Sequence, residues 1–337
     1  MLPARTEIIL NSIIRDYITR AAPVSSQSIA SGRELGVSSA TIRNEMARLE
    51  QEGYISRPYP SSGSIPLDKG YRHYVEALSD IELPLAEQRL ISHLFHQVEK
   101  EMDKWLSLTV TLMAQLVKNM AIATMPKPAD CQFKHMEAIV LQGPLTLVVL
   151  VLRGARIKEE MITLNETASQ AELTASSNKL NEAYSRLTSS QIQAKDINLS
   201  PAEQQITDCL VKMMREEDEK EYEEPYLNGW HFMLNQPEFA HSQQTLSLME
   251  LVERRELLKS IALEKLPAHE VLVLIGRENK AEAICNCSVV ISRYGLPHEA
   301  MGTIGIIGPT RMHYTHVIPA VGYLASVLTG LVTELYS

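Results

Sequence analysis

The first 75 residues alternate short apolar stripes with sharp breaks. One stripe recurs at steps of three and four, the spacing of a helix with one buried face, and comprises Leu10, Ile13, Ile14, Tyr17 and Ile18. Pro23 ends this helix, because proline lacks the backbone donor that a continuing helix needs. Ser25 is suited to cap a short second helix, and a turn is expected over 32–37.

A third helix is predicted over 39–52, with Ile42, Met46 and Leu49 as its buried stripe. Ser38 can cap its start, and Gly53 suits the left-handed position at its end. Two short extended runs then surround the loop 58-PYPSSG-63. Three helices followed by a hairpin predict a winged helix-turn-helix domain, a DNA-binding arrangement.

The rest of the chain predicts a β-rich body interrupted by a polar insertion. Helix-compatible sequence links the first domain to it, strand patterns occur at 136–142, 145–152 and 157–163, and they return at 271–276, 288–295 and 303–308. An amphipathic helix is expected over 317–335, where Pro319 is tolerable only in the first turn. We therefore predict an α+β multidomain protein, divided into 1–75, a linker helix over 76–120, a body of 121–165 with 250–337, and an inserted domain over 166–249.

The outer face of the predicted third helix suits a major groove. Small alanines allow close approach, asparagine can bond adenine bidentately, and arginine can bond guanine or a phosphate. For an isolated helix a solvated face is the more common explanation, but the neighbouring helix and hairpin favour DNA binding. The candidate DNA-binding residues are Ser39, Thr41, Arg43, Asn44 and Arg48 from the helix, Arg57, Ser61, Ser62 and Ser64 from the hairpin, and Lys69 and Arg72 beyond it.

The charge distribution restricts how DNA could be bound. The net charge is −9, yet residues 1–80 hold nine basic and nine acidic residues, so this part is neutral and the rest carries the whole excess. Nonspecific coating of nucleic acid is therefore disfavoured, and base contacts and dimerisation must compensate for weak attraction.

Other classes of protein find little support in the sequence. The longest apolar stretch, 138–152, is interrupted by Gln142-Gly143-Pro144 and is too short for a membrane span, and no export signal is recognisable, so we expect a cytoplasmic protein without membrane contact. The glycines of 302–308 are separated by strand-forming isoleucines, which favours a strand over a phosphate loop. His313, His316, Cys285 and Cys287 lack the spacing of a zinc module, and no nucleophile–base signature occurs, so no metal, cofactor or enzymatic activity is expected.

Two segments resemble a known family. The runs 36-GVSSATIRNEMARLEQEGYISRPYPSSGSIPLDKGYRHYV-75 and 301-MGTIGIIGPTRMHY-314 are similar to the bacterial heat-inducible transcription repressor HrcA, and the similarity extends along the whole chain. The resemblance implies a winged-helix domain, a GAF-like domain and a dimerising domain inserted into the latter. It also implies repression of chaperone operons through an inverted-repeat operator, release on heat stress, and a chaperonin that keeps the repressor active.

The chain departs from the family pattern in the hairpin and the second helix. Tyr59 and Ser64 stand where histidine and arginine are expected, and Gln27 replaces a frequent arginine. Losing an arginine at position 64 removes a candidate groove or phosphate contact, so operator affinity or flanking-base preference is expected to differ. The alternative function is a winged-helix regulator that senses a small ligand through its GAF-like domain.

Overall fold

The computed structural model describes residues 2–31, 38–59, 62–78, 81–127, 131–153, 157–219, 225–239, 243–253, 257, 270–296 and 300–336. Mixed helices and antiparallel sheets give an α+β protein of more than one domain, as predicted. The chain forms two compact units. The first comprises Met1–Pro126, Glu223–Pro297 and Met301–Ser337, and the second comprises Lys127–Tyr222 with His298–Ala300.

Residues 2–78 form the N-terminal segment of the first unit. Its elements, in chain order, are α1 (Ala4–Arg20), α2 (Ser26–Ser31), α3 (Ser39–Gln51), β1 (Ile55–Ser56), β2 (Ile65–Pro66) and α4 (Asp68–Glu76). The predicted caps are confirmed, since the Ser25 and Ser38 hydroxyls accept from the backbone N–H groups of Ser28 and Thr41. Gly53 follows α3 with a φ of +77°. The predicted turn at 32–37 lies outside the described residues.

The predicted linker helix over 76–120 is two separate helices. They are α5 (Leu85–Gln97) and α6 (Met102–Val117), interrupted at Val98 where the backbone is extended. α6 buries Trp105, Leu106 and Met113, so it is part of the hydrophobic core. Periodicity predicted helix here but could not place the break, because the apolar spacing continues across it.

A five-stranded sheet forms the centre of the first unit. Its strands, in spatial order, are β7 (Tyr226–Asn228), β3 (Met120–Ala123), β10 (Ala300–Pro309), β9 (Cys287–Leu296) and β8 (Val271–Ile275). Helices cover both faces. α6 and the last helix, α12 (Tyr314–Tyr336), pack on one face, where the core is continuous with that of the N-terminal segment. α10 (Trp230–Leu234) and α11 (Gln243–Glu253) pack on the other.

The glycines of 302–308 lie in β10, which confirms the predicted strand. A side chain at Gly302 would collide with the Tyr294 ring at 2.4 Å, and one at Gly305 would meet the Val290 carbonyl at 2.8 Å. These glycines therefore allow close packing within the sheet.

α12 is long and apolar enough to cross a membrane by composition alone. It packs against β9 and buries Val317, Val321, Leu324 and Leu328, as a core helix of a globular body does. Pro319 is the sixth residue of this helix, so the expectation that it lies in the first turn is wrong. Proline at this position leaves the carbonyl of Thr315 without its usual helical donor.

The second unit is a three-stranded antiparallel meander with helices on one face. Its strands are β4 (Phe133–Gln142), β5 (Leu145–Leu152) and β6 (Ile157–Thr163), and its helices are α7 (Gln170–Tyr184), α8 (Ser189–Gln193) and α9 (Pro201–Glu219). Alternate residues of β5 are buried, and Val148, Leu150 and Leu152 join a core with Leu173, Leu180 and Leu210.

This division differs from the predicted boundaries. The strands at 133–163 were expected in the body, yet in the described residues they pair only with one another. Conversely, 226–249 was expected in the inserted domain, but β7 pairs with β3 and α10 packs on the five-stranded sheet. Strand patterns cannot show which strands pair, because pairing depends on contacts distant in sequence.

Candidate nucleic-acid interface

α3 presents two polar side chains to solvent that have no partner among the residues that the structure describes. Ile42, Met46 and Leu49 are buried on its inner face, as the stripe predicted. Arg43 and Asn44 are exposed, and neither makes a hydrogen bond or ion pair within the described part of the chain. A side chain that pairs with nothing internal keeps its full donor and acceptor capacity for a ligand.

The remaining candidates on α3 already have local contacts. Arg48 Nε donates to Glu52 Oε1 at 2.8 Å, one helical turn away. The Thr41 hydroxyl lies 3.0 Å from that of Ser38 at the helix start, and Ser39 is half-buried. The exposed Arg48–Glu52 pair is weak, so its arginine can exchange Glu52 for a phosphate at little cost.

An acidic residue on α3 is neutralised from within the N-terminal segment. Glu45 accepts from Arg5 Nη2 at 2.7 Å and from the Thr6 hydroxyl at 2.8 Å. Hydrogen bonds from Arg5 and then Thr6 hold the pKa of Glu45 below its ordinary value. The pairing fastens α3 to α1 and reduces the repulsion that this carboxylate would exert on a nearby polyanion.

The hairpin packs closely against the start of α2. Val24 and Ser64 exchange two backbone hydrogen bonds of 2.8 and 2.9 Å. A Cβ at Gly63 would lie 2.6 Å from the Pro23 and Val24 backbones, so only glycine fits this approach. At the loop, the Ser62 hydroxyl donates to the Tyr59 carbonyl at 2.8 Å, while Ser61 lies outside the described residues.

Ser64 is fully buried, and its hydroxyl has no partner in the described residues. The position expected to carry an arginine thus faces inward from the hairpin. Ser64 and Pro66 are both buried while Ile65 between them is half-exposed. The sequence did not indicate this direction, because Ile65 is more apolar than Ser64.

A cleft of about 370 Å³ connects α3 with the hairpin. Its lining residues are Val24, Ser25, Ser26, Gln27, Arg43, Met46, Arg57, Ser62, Gly63 and Ser64. Two candidate arginines, one from α3 and one from the hairpin, therefore share one surface. Arg57 Nε lies 3.3 Å from Glu50 Oε2. The residue-based prediction missed Ser25 and Ser26 as parts of this surface, because it assigned Ser25 only to helix capping.

Lys69 and Arg72 are held by contacts within the first unit. Lys69 Nζ donates to the Glu52 carbonyl at 2.7 Å and lies 4.2 Å from the centre of the Tyr54 ring, so it stabilises the C-terminal end of α3. Arg72 donates to Glu278 and to the carbonyl of Val273. Lys69 and Arg72 therefore differ from Arg43 and Asn44, whose side chains make no hydrogen bond within the described residues.

Comparison with known proteins identifies the family. Residues 103–318 match a family model described as the HrcA protein C-terminal domain. A heat-inducible transcription repressor HrcA from Dehalococcoides mccartyi is 53% identical over 336 residues, which cover 100% of this chain and 97% of that protein. The chain belongs to the HrcA family. An HrcA from Roseiflexus castenholzii is 34% identical and covers 99% of this chain and 96% of its own length.

HrcA proteins are heat-inducible transcription repressors, so this chain is a non-enzymatic regulator of transcription. A repressor of transcription binds DNA, in agreement with the predicted partner. A hypothetical protein solved at 2.2 Å resolution has the same fold, with a TM-score of 0.59, 22% identity, and coverage of 99% of this chain and 98% of its own.

Proposed function

We propose that this HrcA represses chaperone operons by binding an inverted-repeat operator through a winged helix-turn-helix domain, residues 2–78. α2 and α3 are the helix-turn-helix, β1 and β2 the wing, and α3 the recognition helix. The observation that carries the proposal is that Arg43 and Asn44, beside the cleft that α3 shares with the wing, are exposed and have no partner in the described part of the chain. This role places the protein in the cytoplasm, where a bacterial chromosome lies.

We assign the candidate residues to two roles. Arg43, Asn44, Arg48 and Arg57 contact the operator, with Ser39, Thr41, Ser61 and Ser62 as further contacts to phosphate or sugar. Ser64, Lys69 and Arg72 maintain the domain, because the first is buried and the other two are engaged internally. Asn44 suits adenine and Arg43 suits guanine or a phosphate.

Homodimerisation through the second unit is supported by the open face of its sheet. Ile139 lies opposite Leu147, Leu147 opposite Met161, and Val151 opposite Ile157. Ile157 and Met161 are 66% and 64% exposed. Exposed apolar rows on a sheet face are costly in water, and a second copy offers an equal face related by two-fold symmetry, which matches an inverted repeat. We propose this second unit as the dimerising domain, and the five-stranded sheet with its helices as the GAF-like domain.

Chaperonin control is the part of the proposal that rests on family resemblance. In this scheme heat inactivates the repressor, and the chaperonin returns the inactive fraction to the operator-binding form. Heat-treated protein refolded with chaperonin should recover more operator binding than protein refolded alone. Equal recovery would remove the chaperonin from the scheme.

A second candidate is a ligand-responsive regulator, and one cavity favours it. A cleft of about 350 Å³ in the first unit is lined by residues that include Asn119, Pro309, Met312 and His316. Asn119 is 5% exposed, and its Oδ1 has no partner in the described residues. A buried acceptor without a donor is a feature that a small ligand could satisfy. A metabolite that raises the melting temperature and changes operator affinity would support this candidate.

The proposed function is tested by hydroxyl-radical footprinting on a promoter that contains an inverted repeat. A dimer with one recognition helix per half-site protects two symmetric patches on the same side of the duplex. Arg43→Ala should weaken both patches while the melting temperature is retained. A single asymmetric patch, or protection independent of sequence, would contradict the proposal.

A further inference from the structure

α4, the helix that follows the wing, is attached to the edge of the five-stranded sheet by an ion pair. Arg72 Nε donates to Glu278 Oε1 at 2.8 Å, and Arg72 Nη2 donates to the carbonyl of Val273 at 2.6 Å and to Glu278 Oε2. Val273 belongs to β8, which is an edge strand among the strands that the structure describes, so its outer carbonyls are open to side-chain donors. The guanidinium therefore binds a carboxylate and an edge carbonyl together.

A second contact lies one turn earlier on the same helix. Asp68 Oδ2 accepts from the backbone N–H of Arg277 at 3.0 Å. Gly276 has a φ of +54°, and a Cβ there would lie 2.3 Å from the Asp68 carboxylate, so the glycine allows this approach. Glu278 is itself held, since its Oε2 accepts from the N–H of Ile275 at 2.9 Å. We call Asp68, Arg72 and residues 273–278 the docking contact.

An apolar contact lies beside these polar bonds. Tyr71 and Tyr314 have ring centres 6.1 Å apart, and both residues are buried. Tyr314 begins α12, and its hydroxyl lies 2.6 Å from that of Ser288 in β9. Asp68, Tyr71 and Arg72 thus join α4 to the sheet and to α12. Tyr71 and Arg72 follow Asp68 by three and four residues, so both lie on the same side of the helix as Asp68.

α4 also contacts the end of α3 and follows the wing closely in sequence. Only Leu67 separates Pro66 of the wing from α4, and Lys69 of α4 donates to the Glu52 carbonyl at the end of α3. α4 therefore links α3 to the sheet. Arg43 and Asn44 stay exposed while this contact is made, so it leaves the DNA-binding face open.

We propose that Asp68, Arg72 and Glu278 are positioning residues that fix the recognition helix relative to the GAF-like domain, so that both helices of a dimer meet their half-sites together. The proposal rests on the proposed function. Pre-orientation matters most for bivalent binding, because a loosely held second helix lowers the effective concentration at the second half-site. A single half-site requires no such alignment.

The test compares a full inverted repeat with a duplex that carries one half-site. Arg72→Glu and Glu278→Arg should each weaken binding to the inverted repeat about tenfold, a coupling typical of contacting charged groups, with little change on the half-site. The double exchange, R72E with E278R, should recover most of the loss. Arg277→Glu is the control, because it changes the charge of the same turn while leaving the backbone donor to Asp68.

Three outcomes would overturn the proposal. Equal loss on both duplexes without recovery in the double exchange would make Arg72 a direct phosphate contact. Tighter binding by the single variants would make the docking contact inhibitory. Unchanged affinity of both single variants for the inverted repeat would show that the docking contact does not position the recognition helix.

Hydrogen exchange of the full-length protein without DNA separates this proposal from the proposed function. The backbone amides of 68–76 should exchange hydrogen faster in each single variant. In the R72E/E278R double variant their rates should return towards those of the unmodified protein. If the unmodified protein fails to distinguish the inverted repeat from a scrambled duplex, the proposed function is wrong. The hydrogen-exchange rates then still show whether the docking contact stabilises α4. Unchanged exchange in the single variants would overturn it.

Discussion

At the scale of single residues, Asn44 gives the sharpest prediction about operator recognition. It is exposed on α3 and makes no hydrogen bond within the described residues, so replacing it removes little from the folded protein. Asn44→Ala should weaken operator binding by about 1–3 kcal/mol if the amide bonds adenine bidentately. Gel-shift titration measures the affinity, and thermal melting is the control. An unchanged affinity with an unchanged melting temperature would exclude Asn44 from the interface.

Glu45 gives a prediction about pH. Its pKa is lowered in the folded protein, first by the Arg5 hydrogen bond and then by Thr6. The stabilisation is therefore present above the unfolded-state pKa of about 4.3 and is lost as pH falls through the folded pKa. Glu45→Gln should cost about 1 kcal/mol near neutral pH, with the difference from the unmodified protein shrinking at low pH. Melting curves from neutral to acidic pH measure this, and a pH-independent difference would contradict it.

At the scale of elements, local periodicity predicted the N-terminal helices well. The stripe Ile42, Met46 and Leu49, the caps Ser25 and Ser38, and Gly53 all occupy their expected positions, because each depends on residues within a few positions of it. The position of Arg72 was not predictable in this way. Its partner Glu278 is 206 residues distant, and no local pattern contains that contact.

The open sheet face of the second unit gives an element-scale prediction. Met161→Lys places a charge at one end of the apolar row that Met161 forms with Leu147 and Ile139. We expect a dimer to dissociate, because burying an unpaired ammonium in an interface is strongly unfavourable. Sedimentation equilibrium measures the mass. Leu85→Lys, at a residue 67% exposed in the first unit, is the matched control. A variant at Met161 that remains as dimeric as the control would contradict this interface.

At the scale of the whole molecule, the sequence predicted an α+β chain with an inserted domain but placed the insertion boundaries too late. Strand-like runs on both sides of 166–249 have similar composition, so they were grouped into one body. In the structure β4, β5 and β6 belong to the second unit, and β7 with α10 belongs to the first. Membership in a sheet depends on pairing between distant segments, which alternation within one strand does not determine.

We propose that this member of the HrcA family recognises an inverted-repeat operator specifically despite a neutral N-terminal segment, residues 1–80, and a net charge of −9. The most direct test of this proposal is the ratio of affinities for a chaperone-promoter inverted repeat and a scrambled duplex near physiological salt. Because bulk electrostatic attraction is weak, we expect a ratio of about 10³ or more that persists as salt rises. Equal affinities for the two duplexes, or specific binding lost at physiological salt, would contradict the account.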